Sequence, residues 1–518
     1  MKLKLLYASL GLALCMGCHD FLDVKPVGKL IPTEVEEFEN ILNNANTVDW
    51  YYMDNNRGTF LSMLTDNLEI SENSANHNYV VTHPNIDRYA AFTFNRPYRN
   101  PQKPDYFWEW GTYRAVGLLN NVIDGVGDVK TDKTAALADE LAAQAKAARA
   151  WAFLTMAMVY GPVYDPATAN DTQTIPYRTA ASPSTPNPDL STTAEVFKLA
   201  KEDIEFALQH APKSVGNPSR MNLCAVQALM AYYYMFTRDF GKMLEYADLA
   251  WSNALAQRGS ADNLIYDYNT FYYEEDPAAN PAPGTDVEVN LELKGPDNLL
   301  NQTDHREMLL YRVAPVGGYG GGGYASADFL SLFDAEKDLR YKLFALRDLG
   351  YSKEVGDTKY DDGIVRQYYR EYKIKGSQGF SYPELLLMRA EAYARTHNTA
   401  KALADLNTLR KYRYSNAGET DLENGASLSE DELLEEILKE RRRELPIATF
   451  QRFLDLKRLA LDTGKPWCKT VLEHKIGNRT YSAPIKSEYF IVPIPNNIIM
   501  YNPQWGLEPN MTSYNPKG

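Results

Sequence analysis

Residues 383–410 read PELLLMRAEAYARTHNTAKALADLNTLR. Apolar side chains recur at helical spacing from Pro383 to Arg395, and the polar stretch Thr396–Thr399 interrupts them before Ala402. Apolar residues three and four apart line one face of a helix, so the stretch predicts two helices joined by a tight turn. Small residues at Ala390 and Ala402, with Tyr393 between them, let the two approach closely.

Working outward, the same spacing appears over Val35–Leu42, Tyr106–Ile123, Ala135–Tyr160, Thr193–His210, Asn222–Phe236, Gly241–Ala256 and Leu433–Leu445. A second pair places Ala231, Tyr234, Ala247 and Ala250 at matching positions around a turn at Arg238–Phe240, with Met243 where Ala is preferred. Ala142–Tyr160 ends at Gly161-Pro162, and its Ala145, Ala148 and Ala152 make another small-residue seam. Both pairs fit the tetratricopeptide register. A mostly α fold with tetratricopeptide-like stacked helix pairs, at least three of them, is expected; the plainer alternative is an ordinary Ala-rich bundle. Four Pro-, Asn-, Gly- and Tyr-rich stretches intervene, at Ser71–Pro104, Asp165–Leu190, Tyr266–Asn301 and Ala314–Tyr324. Loops this long in a folded protein are usually functional, so ligand contacts are sought there.

The 518 residues are 44% hydrophobic and 24% charged, a soluble globular composition. The formal charge of −14 argues against nucleic acid, whose binding needs a Lys/Arg surface. At the start, Lys2 and Lys4 precede an apolar run from Leu5 to Met16, then Gly17 and Cys18. That is the pattern of a signal peptide over residues 1–17, too short to span a bilayer. Gly17-Cys18 is similar to the lipobox of bacterial lipoproteins, with the aliphatic residue displaced to Leu14, and Cys18 is the expected lipidation site. Cys224 and Cys468 are expected to be buried free thiols.

Nucleotide, serine-hydrolase and zinc motifs are missing, and none of the seven histidines forms a metal-like pair, so no cofactor, metal or catalytic site is expected. The glycine run Gly317-Gly318-Tyr319-Gly320-Gly321-Gly322-Gly323 lacks the flanking strand and helix of a phosphate loop and reads as a flexible loop. The acidic residues within Asp357–Asp362 could hold calcium but do not match an EF-hand, and a solvated loop is the simpler reading. Glu440 and Glu444 mimic a catalytic pair, yet the flanking Arg441 and Arg442 would keep both ionised, which suits ion pairing rather than acid catalysis.

An ordered series of segments extends over nearly the whole chain after Cys18. It runs from Phe21-Leu22-Asp23 and Pro26 through Trp110, Tyr113 and Asn120 to Tyr160-Gly161-Pro162. It continues with Asp338 and Arg340, Leu386–Tyr393, Ala402, Asn407 and Arg410, then Glu440–Leu445, Arg452 and Asp455-Leu456-Lys457-Arg458, and closes near Pro493-Ile494-Pro495 and Asn502-Pro503. Pro446–Phe450 departs from the pattern, and the closing Gln-Asn-Pro element is not clear at 510–516. In this order the segments are similar to the SusD-like (RagB/SusD) family of nutrient-uptake outer-membrane lipoproteins, and the resemblance implies a single SusD-like domain over residues 18–518, helical with loop-rich insertions at about 71–104 and 266–380. It also implies a non-catalytic cell-surface protein, lipid-anchored to the outer membrane, that captures a nutrient for a TonB-dependent (SusC-like) transporter.

The ligand is then chosen by chemistry. Of 36 tyrosines, many fall in the long loops: Tyr79, Tyr89 and Tyr98 in the first, Tyr272 in the third, and Tyr319 and Tyr324 around the glycines. A tyrosine can stack on the apolar face of a sugar while amides and carboxylates take its hydroxyls. These six are the expected ligand-binding residues, with the first, third and fourth loops converging on one cleft. An acidic chain favours a neutral oligosaccharide over a sulfated or polyuronic one. A peptide ligand is the alternative, a glycan-degrading enzyme the next, and a tetratricopeptide-like adaptor the third.

Overall fold

A computed structural model describes residues 32–44, 53, 58–80, 85–275, 287–316 and 323–509. Cys18 and the segment before it, Tyr319 and most of the glycine run lie outside the described residues.

The scaffold is a row of helices: α1 (Arg114–Val129), α2 (Ala135–Tyr160), α3 (Thr193–His210), α4 (Leu223–Thr237), α5 (Phe240–Arg258), α6 (Tyr382–Arg395), α7 (Thr399–Arg413), α8 (Glu430–Glu444) and α9 (Gln451–Leu459). From α1 to α7 each helix packs against the next, and α8 lies against α6. The order follows from small residues: Ala145, Ala148 and Ala152 are all buried, as are Ala231, Ala247, Ala250, Ala390 and Ala402. Met243 is buried too, so the longer side chain fills space rather than splaying the pair. From Ala138 to Tyr160 nearly every side chain of α2 is buried, as expected of a helix apolar all round.

Polar residues start the helices where their oxygens can accept an orphan amide. Ser429 and Glu432 form a reciprocal cap on α8, Thr192 and Glu195 one on α3, and Asn222 and Ser381 cap α4 and α6. One buried hydrophobic cluster extends from Val35 to Trp505.

The charged box is interhelical and buried. Arg340, fully buried, pairs with Asp338 at 2.8 Å, Glu440 at 2.6 Å and Glu444 at 3.0 Å. Arg413 joins Glu444 at 2.9 Å to Glu307 at 2.7 Å, and Arg441 joins Glu384 to Asp455, both at 3.0 Å. Burial pushes the Glu440 carboxyl up, but Arg340, Arg443 and Arg410 outweigh it and hold it near 2. Glu444 is likewise lowered, by Arg413, Arg370 and Arg340 against its burial. Both are therefore ionised structural partners.

Two expectations need correction. The first long loop is not structureless: it holds helices Glu72–Asn76 and Asn85–Phe92, too short to show periodicity over polar flanks. The insertion beyond residue 266 likewise contains hairpins, described below. Cys224 is buried and free as expected, with its thiol on the Ala250 carbonyl, whereas Cys468 is free but only half-buried.

Candidate ligand-binding site

Two of the long loops are brought together by a strand pair. β1 (Leu68–Ile70) leads into the first loop and runs antiparallel to the strand that ends the glycine run, Gly323–Ala325, with Leu68 opposite Ala325, Glu69 opposite Tyr324 and Ile70 opposite Gly323. A long ribbon stands beside them. Its base pairs Ala345–Leu349 with Ile364–Tyr368, and its tip pairs Ser352–Val355 with Thr358–Asp361 across a turn containing Gly356. Gly356 has φ +59°, a conformation glycine adopts without strain.

The tip of the ribbon meets the first loop. The Asn73 amide donates to the Asp361 carbonyl at 3.0 Å and to Asp362 Oδ1 at 2.8 Å. The His77 ring stacks on Tyr360 with centroids 5.1 Å apart at 25°, and its Nδ1 hydrogen-bonds the Tyr351 hydroxyl. The Tyr324 hydroxyl donates to Asp362 and accepts from the Tyr351 amide at 2.8 Å, locking the glycine-run strand onto the ribbon. Hydrogen bonds from Lys359 and the Gly363 amide hold Asp361 below the usual carboxylate range. His77, Tyr351 and Tyr360 are half-buried. Ring faces, an amide and carboxyl groups thus lie together at the meeting of two loops, the set of groups a sugar needs for stacking and hydroxyl recognition.

Most of the tyrosines expected as platforms are not available to a ligand. Tyr79 and Tyr98 have no exposed surface and Tyr89 and Tyr324 are 5% and 7% exposed, so all four fill core beneath the loops. Tyr98 donates to the Tyr489 carbonyl at 2.6 Å, and burial pushes the Tyr79 hydroxyl up to about 12. Tyr89 lies within the second short helix and Tyr79 and Tyr98 just beyond the two helices, which turn these three inward, while Tyr324 is covered where its strand pairs with β1 and locks onto the ribbon. Tyr272 is exposed, at 56%, on the hairpin Tyr272–Glu275/Leu291–Lys294, while Tyr319 lies outside the described residues.

That hairpin belongs to the third loop, which meets the ribbon at its base: the Glu288 amide donates to the Arg347 carbonyl at 2.9 Å, and Tyr273 donates to the Leu343 carbonyl. Arg347 and Tyr351 are four residues apart, about 13 Å along a strand. The three loops therefore share one ribbon, but Tyr272 is not beside His77. The sequence reading missed His77, Tyr351 and Tyr360. The signal for them is Val355-Gly356-Asp357-Thr358 between alternating residues, a hairpin pattern that the acidic residues within Asp357–Asp362 mask.

No helix among the described residues is long and apolar enough to cross a membrane. The residues shared with the family series are mainly scaffold: Asn120, Asp338, Arg340, Glu440, Asp455, Lys457 and Arg458 are all buried.

Comparison with known proteins agrees with this architecture. A model of the SusD family matches residues 367–516, and a model described as starch-binding associating with outer membrane matches residues 20–235, together most of the chain. No curated protein matches the chain. Among solved structures, a SusD superfamily protein from Bacteroides fragilis is 18% identical with TM-score 0.61, over 92% of this chain and 99% of its own. A SusD superfamily protein from Bacteroides thetaiotaomicron is 17% identical with TM-score 0.61, over 91% and 98%. A SusD-like carbohydrate binding protein from Bacteroides vulgatus is 16% identical with TM-score 0.57, over 91% and 97%. At these identities the solved structures establish a shared fold, and with the two family models matched in order along one such fold, the chain belongs to the SusD family.

Proposed function

We propose that this protein binds a neutral oligosaccharide at the outer membrane, without acting on it chemically, and hands it to a TonB-dependent, SusC-like transporter. The observation that carries the reading is the half-buried His77–Tyr351–Tyr360 cluster with Asn73 beside it, set between two loops of a SusD-family scaffold. A non-catalytic role is supported by the charged box, where arginines keep Glu440 and Glu444 from serving as proton donors near neutral pH. Attachment through Cys18 completes the reading.

Calorimetry against malto-, xylo-, manno- and cello-oligosaccharides and a peptide library tests it. Tyr360→Ala and His77→Ala should each weaken the confirmed sugar about tenfold, close to 1.4 kcal/mol, because one stacked ring is removed from a wet site. Release of shortened sugars, a peptide as the sole ligand, or unchanged binding in both variants would overturn it.

A further inference from the structure

The second long stretch, Asp165–Leu190, takes no part in the loop cluster, yet its middle builds a cavity of its own. That cavity, about 570 Å³, lies between the start of α1, the segment 176–187 and the chain near its C-terminus. Its size is within the range of small-ligand sites, about 300–1,000 Å³.

The walls are held rigidly. Tyr113 donates to the Pro176 carbonyl at 2.8 Å, and buried Asn120 donates to the carbonyls of Arg178 at 3.1 Å and Ala180 at 3.3 Å. Asn120 is itself fixed by Arg149, which is bidentate to Asp203 at 2.8 Å. From the other side, Asn187 donates to Asn502 at 3.0 Å, the Trp505 indole donates to the Pro188 carbonyl at 3.0 Å, and Asn497 donates to Glu109 at 2.6 Å. A loop pinned at both ends keeps its lining groups in place before any ligand arrives, which lowers the ordering cost of binding.

The lining is amphiphilic and near neutral. Trp108 and Tyr113 stack with centroids 5.0 Å apart, and Tyr501 and Trp505 line the C-terminal side. Tyr501 is 84% exposed, a ring left in water at the edge of a polar cavity. Amides of Asn187, Asn502 and Gln504 and hydroxyls of Ser184 and Thr185 supply donors and acceptors. One acid and one base, Glu109 and Arg178, are engaged by Asn497 and by Asn187 and the Ser182 carbonyl. The two charges cancel, so the lining carries no net charge to draw in a phosphate, sulfate or carboxylate ligand.

From this we infer a second saccharide site, built by residues 108–117 at the entry to α1, residues 176–187 and residues 498–505 and separate from the ribbon tip, that takes two or three units of a neutral glycan with Tyr501 as stacking platform. It rests on the proposed function for its ligand class alone. Two sites on one chain would give a long glycan the effective-concentration gain of bivalent attachment.

The test is calorimetry and tryptophan fluorescence on the full chain, titrated with maltoheptaose, xylohexaose, mannohexaose and cellohexaose. Tyr501→Ala and Gln504→Ala change exposed side chains, so folding is not at stake, and an unchanged melting temperature checks this. The expected result is that one sugar binds at two sites, that the Y501A/Q504A double variant weakens one at least tenfold and removes its fluorescence change, and that Tyr360→Ala weakens the other. Loss only in Tyr360→Ala, with stoichiometry unchanged in Y501A/Q504A, overturns the second site and leaves the first. Loss only in Y501A/Q504A upholds the second site and overturns the first. Failure of every sugar to bind overturns both.

Discussion

Glu371 and Glu440 are both buried carboxyls, and their surroundings drive them in opposite directions. Burial pushes Glu371 up to about 7, with Arg370 pulling against it too weakly to win, and its Oε1 lacks a hydrogen-bond partner. An acid raised in the folded state stabilises fully below its unfolded pKa, near 4.5, and loses that contribution as pH rises through about 7. Glu371→Gln should therefore leave urea stability almost unchanged at about pH 4 and raise it by about 1–3 kcal/mol at about pH 8. Glu440 is the reverse case. Its carboxyl is depressed to about 2, so its contribution is present above its unfolded pKa and is lost as pH falls toward 2. Glu440→Gln leaves Arg340 and Arg443 underpaired and should cost about 3–5 kcal/mol at pH 7, a difference that shrinks in acid. An equal loss at pH 7 and pH 2.5 would show that the effect is packing rather than charge.

At the scale of elements, the hairpins α4–α5 and α6–α7 turn in the same way. Each first helix is followed by a non-glycine residue with left-handed backbone, Arg238 at φ +64° and His397 at φ +63°. Next in each comes a capping residue: Asp239 accepts from the Lys242 amide at 3.0 Å and Asn398 from the Lys401 amide at 3.3 Å. The second hairpin allows a clean test, because the His397 side chain is 78% exposed and contacts only a surface carboxylate, Glu430. His397→Gly should raise stability by about 0.5–1 kcal/mol through relief of the left-handed strain, and Asn398→Ala should lower it by about 1 kcal/mol. Thermal melts of the two variants check both signs.

For the whole molecule, the scaffold and the proposed binding surfaces separate cleanly. Buried ion pairs, Ala seams and caps hold the helix row, while His77, Tyr360, Tyr501 and Gln504 stand on segments added to it. Anchoring should separate in the same way. On the proposed attachment through Cys18, Cys18→Ala should yield a protein that folds and binds as before but is released from the membrane fraction; fractionation with mass spectrometry of the mature N-terminus checks this. Native-membrane pull-downs of the anchored form should recover a TonB-dependent receptor.

The helix row was legible in the sequence because its signals are local. Ala spacing, a polar turn and an Asx or Ser cap act within one or two turns of helix, so Ala135–Tyr160 and Thr193–His210 could be bounded from residues alone. The ion-pairing role of Glu440 and Glu444 was legible for the same reason, although their partners, Arg340, Arg413 and Arg370, come from far along the chain. The binding surface was not legible. Tyr79 and Tyr360 look alike as letters in polar loops, and only the packing of the helices Glu72–Asn76 and Asn85–Phe92 buries the first while the ribbon carries the second against His77. Periodicity reports which face of an element is apolar, whereas a ring's access to a ligand depends on contacts between segments hundreds of residues apart, such as Asn73 with Asp362 and Asn187 with Asn502, which only the tertiary structure decides.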